Sequence, residues 1–442
     1  MEDILYQYKQ IDRVTWIYLS SMMTIGIYFK FSRFWSVRNL DLLGLIALAP
    51  GLVMAAPDSE LRSVGYIWLF AVGLFFLLRL LADPMMVRRP LLEPNLSPGG
   101  LTFMLASLFV FLMMNVITSD VTESDLEGAR RLDQILAREQ VREGDASLGR
   151  HGPGYPLLHV FASVPSKALA NLGETLPEHQ ESLLLHKATA RTMAILSHLG
   201  IVAGMVLIGA RHFGSGTAGI AAAALYLLLP YTAQMVGRVD HALPAALLVW
   251  VIAMYRRPLA AGMLMGLAAG AVYYPIFLIP LWVGFYWQRG LFRFVLGVIL
   301  TLSLLVGSLA LTSTDLASFL VQAKQMLGWT SLSLENVDGF WNYFEPAYRI
   351  PVVAAFVVVS FSLALWPAQK NLGTLLSCSA AVMLGTQFWH AQGGGLYVAW
   401  YLPLVLLTVF RPNLEDRIAL SVLGAGWLPR LRSAYSGVEK AA

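Results

Sequence analysis

Two groups of residues in this 442-residue chain have the types and spacing for chemistry on a hydroxyl or a phosphate. The first is a run of acids, Asp120, Glu123 and Asp125, placed just after the apolar stretch that ends Asn115-Val116-Ile117-Thr118-Ser119. A carboxylate within hydrogen-bond reach of a hydroxyl takes its proton as the oxygen attacks, so these three are the candidate general bases. The second group is cationic. Lys187 and Arg191 are four residues apart and share one helical face, which suits two cations on one phosphate. Arg238 and Asp240 crowd a tight connection, and His151 and Tyr155 flank Gly152-Pro153-Gly154, a turn whose glycines admit close backbone approach to a ligand. His390 closes a late apolar run. Each has a plainer structural role to set against the chemical one. Asp120 and Asp125 can favour a helix N-terminus, with Asp125 the better placed cap and Asp120 the better candidate for a group fixed on a rigid span. Lys187 and Arg191 can anchor an interface, Arg238 and Asp240 can pair with each other, and His390 can be an interfacial histidine.

The elements that position these residues follow from composition. The chain is 57% hydrophobic and 13% charged, too little charge to cover a water-facing surface, where about 25% is usual. Its apolar content has to meet lipid, and the mean hydropathy of +0.63 agrees. A net charge of +4 is what Lys/Arg bias in cytoplasmic loops produces, so nucleic acid is no expected partner. The single cysteine, Cys378, excludes a disulfide framework and a cysteine metal cluster. Met1-Glu2-Asp3 lacks the basic start of a cleaved signal peptide, so the first apolar run is expected to stay as a helix.

About 13 such runs fall at 14–31, 41–56, 66–82, 101–118, 192–210, 217–236, 241–255, 259–272, 274–288, 294–312, 351–366, 373–389 and 396–410. The expected fold is therefore an all-α polytopic membrane protein. Its divisions are N-terminal spans in 1–100, a core over 101–312, a second outer loop at 313–350, C-terminal spans in 351–411 and a cytoplasmic tail from 412. Lys30, Arg33, Arg38, Arg88, Arg89, Arg211, Arg256, Arg257, Arg289, Arg293, Lys370 and Arg411 occupy every second connection. That alternation predicts the N-terminus outside, the C-terminus inside, and the segments 119–190 and 313–350 on one outer face of a bacterial inner membrane. Pro275 and Pro280 are expected to split 259–288 into two spans. Ser124 with Glu127 has the form of a capping box, so 125–141 reads as an amphipathic outer helix, with a second at 156–170. Gly393-Gly394-Gly395 reads as a hinge, and 416–436 as an interfacial helix. Asp120, Arg191, Arg238, Asp240, His241, Gln387 and His390 fall at the outer ends of the runs, and Glu335, Asp338 and Glu345 in the second outer segment.

No nucleotide loop, HExxH or GxSxG motif is present. The order of features carries a resemblance instead. It comprises an acid closing a span, a surface helix, the turn Gly154-Tyr155-Pro156-Leu157, Arg191 opening the next span, a Gly/Ala-rich span ending in Leu229-Pro230, and then Arg238-Val239-Asp240. Together with Gln387-Phe388-Trp389-His390 and Tyr397-Val398-Ala399-Trp400-Tyr401-Leu402-Pro403, this resembles the GT-C superfamily of membrane glycosyltransferases, in particular its protein mannosyltransferase and aminoarabinose transferase branch. The likeness covers 101–411. It implies sugar transfer from a polyprenyl-phosphate donor to a lipid, glycan or protein acceptor on the outer face, with inversion. It also implies that Asp120, or in its place Glu123 or Asp125, acts as base, and that Lys187, Arg191 and Arg238 hold the lipid phosphate. No cofactor is implied, and a divalent metal stays open, since carboxylates from separate loops can meet. Four spans precede the acid here, three more than the family usually has, and no adjacent acid pair follows it. Two other classes therefore stand beside the enzyme: a transporter or lipid-linked flippase, which the scarcity of mid-span ionisable residues disfavours, and a non-catalytic scaffold of the same fold.

Overall fold

Long apolar runs without turn signals can satisfy their backbone groups away from water only as helix, and that rule shapes this chain from end to end. The computed structural model describes residues 13–86, 92–138, 151–170, 178–313, 315–326 and 337–412. Of the described residues, 79% are helical and none lies in a strand, which places the protein in the all-α class. Helix α1 is Arg13–Tyr28; α2, Val37–Met54, starts at Ser36, whose side chain accepts from the Asn39 N–H. Arg62–Ala82 forms α3, and Pro98–Thr118 forms α4, opened by the Ser97 cap and Pro98 in its first turn.

Surface helices follow. Glu123–Ala137 is α5, two residues earlier than the sequence pattern indicated: the capping box is Thr122 with Asp125 at the third helical position, and Ser124 with Glu127 does not form one. Thr-x-x-Asp meets the same reciprocal geometry, so the earlier pair captures the N-terminus. Arg138, left-handed at φ +52°, stops the helix before 141. Gly154–Leu158 (α6) and Val160–Ala170 (α7) fill the second expected stretch. The bundle resumes with α8, Glu178–Ile208, then α9, Gly216–Leu228, α10, Pro230–Gln234, and α11, Val239–Ala253.

The break expected in 259–288 is present. Helix α12, Pro258–Ala271, ends at an extended Val272, and a 3-10 turn over Tyr274–Leu278 containing Pro275 leads into α13, Ile279–Tyr286, with Pro280 in its first turn. Leu291–Thr312 is α14, and Leu316–Met326, α15, is a helix inside a segment read from sequence as loop. Arg349–Ser362, Leu372–Gln387 and Leu402–Phe410 are α16, α17 and α18. Residues 416–436 lie outside the described residues, as do Arg88, Arg89 and Glu335.

Helix covers most of each of the thirteen apolar runs, but five segments among the described residues have the length and hydropathy to cross a bilayer: Val37–Met54, Arg62–Met85, Pro98–Thr118, Gln180–Phe213 and Leu291–Ala310. The shorter apolar helices include the most enclosed. Every residue of α17 and α18 is buried, whereas only 22% of the crossing stretch of α14 is. Short helices such as α17 and α18 therefore form the centre, and the long ones, with the exposed α16, supply its lipid-compatible wall.

Close packing at one seam depends on glycine. Gly262, Gly266 and Gly270 recur every fourth residue along α12 against α14, where an added Cβ would stand 2.1 Å from the Phe294 carbonyl oxygen, 2.9 Å from that of Val298 and 2.2 Å from Leu305. Such spacing lets two helix backbones touch, the usual route to tight association where lipid removes the hydrophobic drive. The presumed hinge at Gly393-Gly394-Gly395 is pinned instead: Gly394 bridges to Gly339, and the Asp338 N–H donates to the Ala391 carbonyl at 2.8 Å.

A charge network locks the opposite end of the bundle from Asp125. Arg79 donates to both oxygens of Asp41 at 3.0 Å and to Asp83 at 2.7 Å, and Arg411 meets the second oxygen of Asp83 at 2.6 Å. All four side chains are buried. Arg79→Ala takes the fork away from Asp41 and is expected to cost about 3–5 kcal/mol, because it strands a buried charge. Thermal unfolding of the purified protein in detergent checks this, and an unchanged midpoint would refute it.

Candidate functional site

The site is assembled where α5 reaches the bundle. Thr122 and Asp125 cap α5: Oδ2 of Asp125 accepts the Thr122 N–H at 3.3 Å and its hydroxyl at 2.5 Å. That cap fixes the carboxylate, and its Oδ1 lies 3.0 Å from Nε of Arg238. Arg238 sits at the N-cap of α11 and forks onto Asp240 in the first helical turn, Nε to Oδ1 at 3.2 Å and Nη2 to Oδ2 at 3.0 Å. The fork is aligned on Asp240, so Oδ1 of Asp125 has the cation beside it but no directed donor. Of the three, Arg238 is the most exposed; both carboxylates are buried.

Asp240 continues into the core. His241 places Nε2 at 3.9 Å from it, while Nδ1 meets the Tyr231 hydroxyl at 2.6 Å. The His241 ring stacks on Tyr397, and Tyr397 lies against His390 and Trp400, with Tyr274 closing the group. The Trp400 indole N–H donates to the Asp240 carbonyl at 3.0 Å, tying this aromatic wall to the acid.

On the other side stands the glycine turn. Gly152 donates its N–H to the Ala271 carbonyl at 3.0 Å, and a Cβ there would fall 2.1 Å from the Gly270 oxygen, so the turn rests on the C-terminal end of α12 by backbone contact alone. The His151 carbonyl takes the Tyr273 hydroxyl at 2.9 Å, and the His151 ring stacks on Tyr155 with centroids 3.9 Å apart. Tyr155 is wholly buried, and its hydroxyl has no partner. Asp240, Asp125, Glu127 and Arg238 all act on that hydroxyl electrostatically, so it faces the charged cluster.

Burial sets the electrostatics. It lifts the Asp125 carboxyl above the usual range against the opposing pull of Arg238, and it raises the Tyr155 hydroxyl well above its ordinary value, helped by the neighbouring acids. Asp240 holds the Arg238 guanidinium above its normal value. His390 is pushed down to about 3 by burial and is neutral at physiological pH.

Asp125, Arg238, Asp240, His151, Tyr155 and His390 thus belong to one continuous assembly. Arg191 borders it: its Nη2 donates to the Ser119 carbonyl at 2.8 Å, and its Nε is buried without a partner. Lys187 lies one turn away on the same helix, half-buried. Asp120 is exposed in the short segment between α4 and α5, so it is not fixed on a rigid span. Glu123 turns outward to pair with Arg130 at 2.5 Å and stands apart from the assembly. Sequence reasoning passed over Thr122, Tyr231 and the stacking of His241 on Tyr397; only the adjacency of His241 to Asp240 was a signal. Among the described residues, no three His, Cys, Asp or Glu side chains gather as a metal site.

These features define an all-helical protein with apolar helices fit to cross a membrane and a buried acid–cation cluster at one end of its bundle. No family model, curated protein or solved structure matches the chain.

Replacing Arg238 with Met leaves Asp125 and Asp240 buried without their shared cation, a loss of about 3 kcal/mol at neutral pH. The loss has a sign in pH. A carboxyl whose folded pKa lies above its unfolded value favours the fold in its protonated form, so its contribution is present below the unfolded pKa and is lost as pH rises through the folded one. The variant should therefore regain stability relative to the parent on acidification from pH 7 towards 4, and unfolding midpoints across that range test it. A gap that widens on acidification would contradict it.

Proposed function

We propose that this chain is an integral membrane glycosyltransferase of the GT-C type. It transfers a sugar from a polyprenyl-phosphate donor to a hydroxyl acceptor on the outer face, inverting the anomeric centre. The observation that carries this reading is the meeting of Asp125, Arg238, Asp240 and the unpartnered Tyr155 hydroxyl at one end of the bundle. Asp125, Tyr155 and the Arg238–Asp240 pair lie far apart in sequence, and Tyr155, Arg238 and Asp240 are among the residues that carry the family resemblance.

In this reading Asp125 is the base. Its raised pKa improves it as a proton acceptor, the Thr122 cap holds it still, and its Oδ1 has no aligned donor to displace. The acceptor hydroxyl attacks the anomeric carbon, its proton passes to Asp125, and the bond to the lipid phosphate oxygen breaks with its electron pair. Lys187 and Arg191 neutralise the departing phosphate, since neither is paired with a carboxylate among the described residues. Arg238 is already forked onto Asp240, so it orients the acids and is the poorer phosphate ligand. Tyr155 offers its hydroxyl to the sugar or acceptor.

Asp120 has a competing claim on one specific ground, its openness: it is exposed and needs no rearrangement to meet an acceptor. Asparagine separates the two, because it keeps the hydrogen-bonding side-chain oxygen that the Thr122 cap needs. Asp125→Asn is expected to lower sugar transfer from polyprenyl-phosphate donors in membranes by about 10²–10⁴ with little loss of thermal stability, while Asp120→Asn stays near the parent. The reverse result moves the base to Asp120. A parent protein that transfers nothing from any polyprenyl-phosphate sugar would favour the scaffold instead.

A further inference from the structure

The turn that joins α1 to α2, at the end of the bundle away from Asp125, is built more rigidly than a connection needs to be. The buried Asn39 side chain organises it: Nδ2 donates to the carbonyls of Lys30 at 2.9 Å, Arg33 at 3.1 Å and Phe34 at 3.1 Å, and Oδ1 accepts the Lys30 N–H at 3.1 Å. Asn95 secures the preceding end of α1 through the carbonyls of Gly26 and Phe29. So held, the turn presents three aromatic side chains outward, Phe31 at 68% exposure, Phe34 at 50% and Trp35 at 79%, packed edge to face in part on one another and on Phe29.

Cations accompany them. Between residues 30 and 38 the sequence supplies Lys30, Arg33 and Arg38 and no acid. Lys30 and Arg33 make no ion pair among the described residues. Arg38 is buried with Nε and Nη1 unpartnered, and both oxygens of the nearby Asp41 already accept from Arg79. Its Nη2 reaches only the Arg411 carbonyl at 3.5 Å, and the pull of Asp41 on it is opposed by Arg79 and Arg411, so a further negative group at the turn would lower the cost of its burial.

We propose that this turn is a binding site for an anionic phospholipid, with Lys30 and Arg33 on the headgroup phosphate, Arg38 adding its field from below, and Phe31, Phe34 and Trp35 seated at the headgroup–acyl boundary. Lipid is the occupant because the apolar surface is continuous with it: Tyr18, Leu19, Met22 and Met23 are exposed along α1, and α2, which the turn opens, is long and apolar enough to cross a bilayer. Exposed aromatic rings at a span end are the usual membrane-interface anchor, and unpaired cations beside them add selectivity for negative charge. The site stands apart from the proposed transferase chemistry and does not depend on it.

The full-length protein, purified in neutral detergent, would be titrated with phosphatidylglycerol, phosphatidylcholine or free glycerol phosphate and followed by native mass spectrometry and thermal unfolding. Phosphatidylglycerol should be retained and raise the unfolding midpoint, with phosphatidylcholine and glycerol phosphate far weaker. The double variant Lys30→Ala/Arg33→Ala changes exposed and half-buried side chains only and should fold. It should bind phosphatidylglycerol on the order of 30-fold more weakly, at about one kcal/mol for each cation. Equal retention of the two lipids, an equal effect of glycerol phosphate, or a double variant that binds phosphatidylglycerol like the parent would each overturn the proposal.

Discussion

Arg238 is the point on which the arrangement at the Asp125 end turns. A guanidinium largely removed from water needs negative charge close by, and here it has two carboxylates from elements with no other reason to meet. Asp240 belongs to the bundle, in the first turn of α11, where the positive end of the helix also favours it. Asp125 belongs to the surface layer, at the start of α5. One cation therefore helps to join the surface helix to the core, beside the buried Leu126, Ala129 and Leu132 and the contact of Asp133 with His186 at 2.7 Å. The Thr122 cap reinforces it, because the same carboxylate that meets Arg238 also fixes the helix N-terminus.

The glycine turn reaches the same junction by a different kind of contact. Gly152 rests on the backbone of Gly270, and Gly270 is the last of the three glycines through which α12 packs on α14. Backbone touches backbone at Gly152, and the Leu305 side chain closes on Gly270 from α14, so the position of Tyr155 is tied to helix packing. At the other end of the bundle, Arg79 shared between Asp41 and Asp83 ties α2 to α3 in the way that Arg238 ties α5 to α11. The protein places these buried charges where separate elements must be held, and the short central helices α17 and α18 carry no charged residue.

Legibility in the sequence followed the range of each interaction. The helical runs, the break near Pro275 and the Arg238–Asp240 pair are local, written in periodicity, in proline and in two residues of separation. The expectation that Asp125 caps a helix was also local and is met, although the partner is Thr122 and the box begins two residues early. What could not be read was the long-range part: that Asp125 meets Arg238, that Tyr231 meets His241, and that Arg79 is shared by two acids. Nothing in a run of apolar residues tells how deep a lone Arg79 lies or which acid faces it. The outward turn of Glu123 towards Arg130 is set by helix phase, which depended on the start of α5 and shifted with it. Gly393 to Gly395 looked free for the same reason, since the pairing of Gly394 with Gly339 crosses between distant segments.

The two candidate acids differ in what each must give up in order to accept a proton. Oδ2 of Asp125 is engaged by the Thr122 N–H and hydroxyl, but Oδ1 has only the ionic contact with Arg238, whose hydrogen-bond fork is aligned on Asp240. A carboxylate in that state can take a proton on Oδ1 without breaking the cap that positions it, while Arg238 keeps its bond to Asp240. Protonation also relieves the burial penalty that raises the Asp125 carboxyl, so proton transfer inward is favoured by the same desolvation that makes the group costly to keep charged. Asp120 lies open to solvent, outside this cluster. Burial, normally an expense for an acid, is what equips Asp125 for the role of base in the proposed transfer, and Arg238 is what keeps it ionised and ready until a hydroxyl arrives.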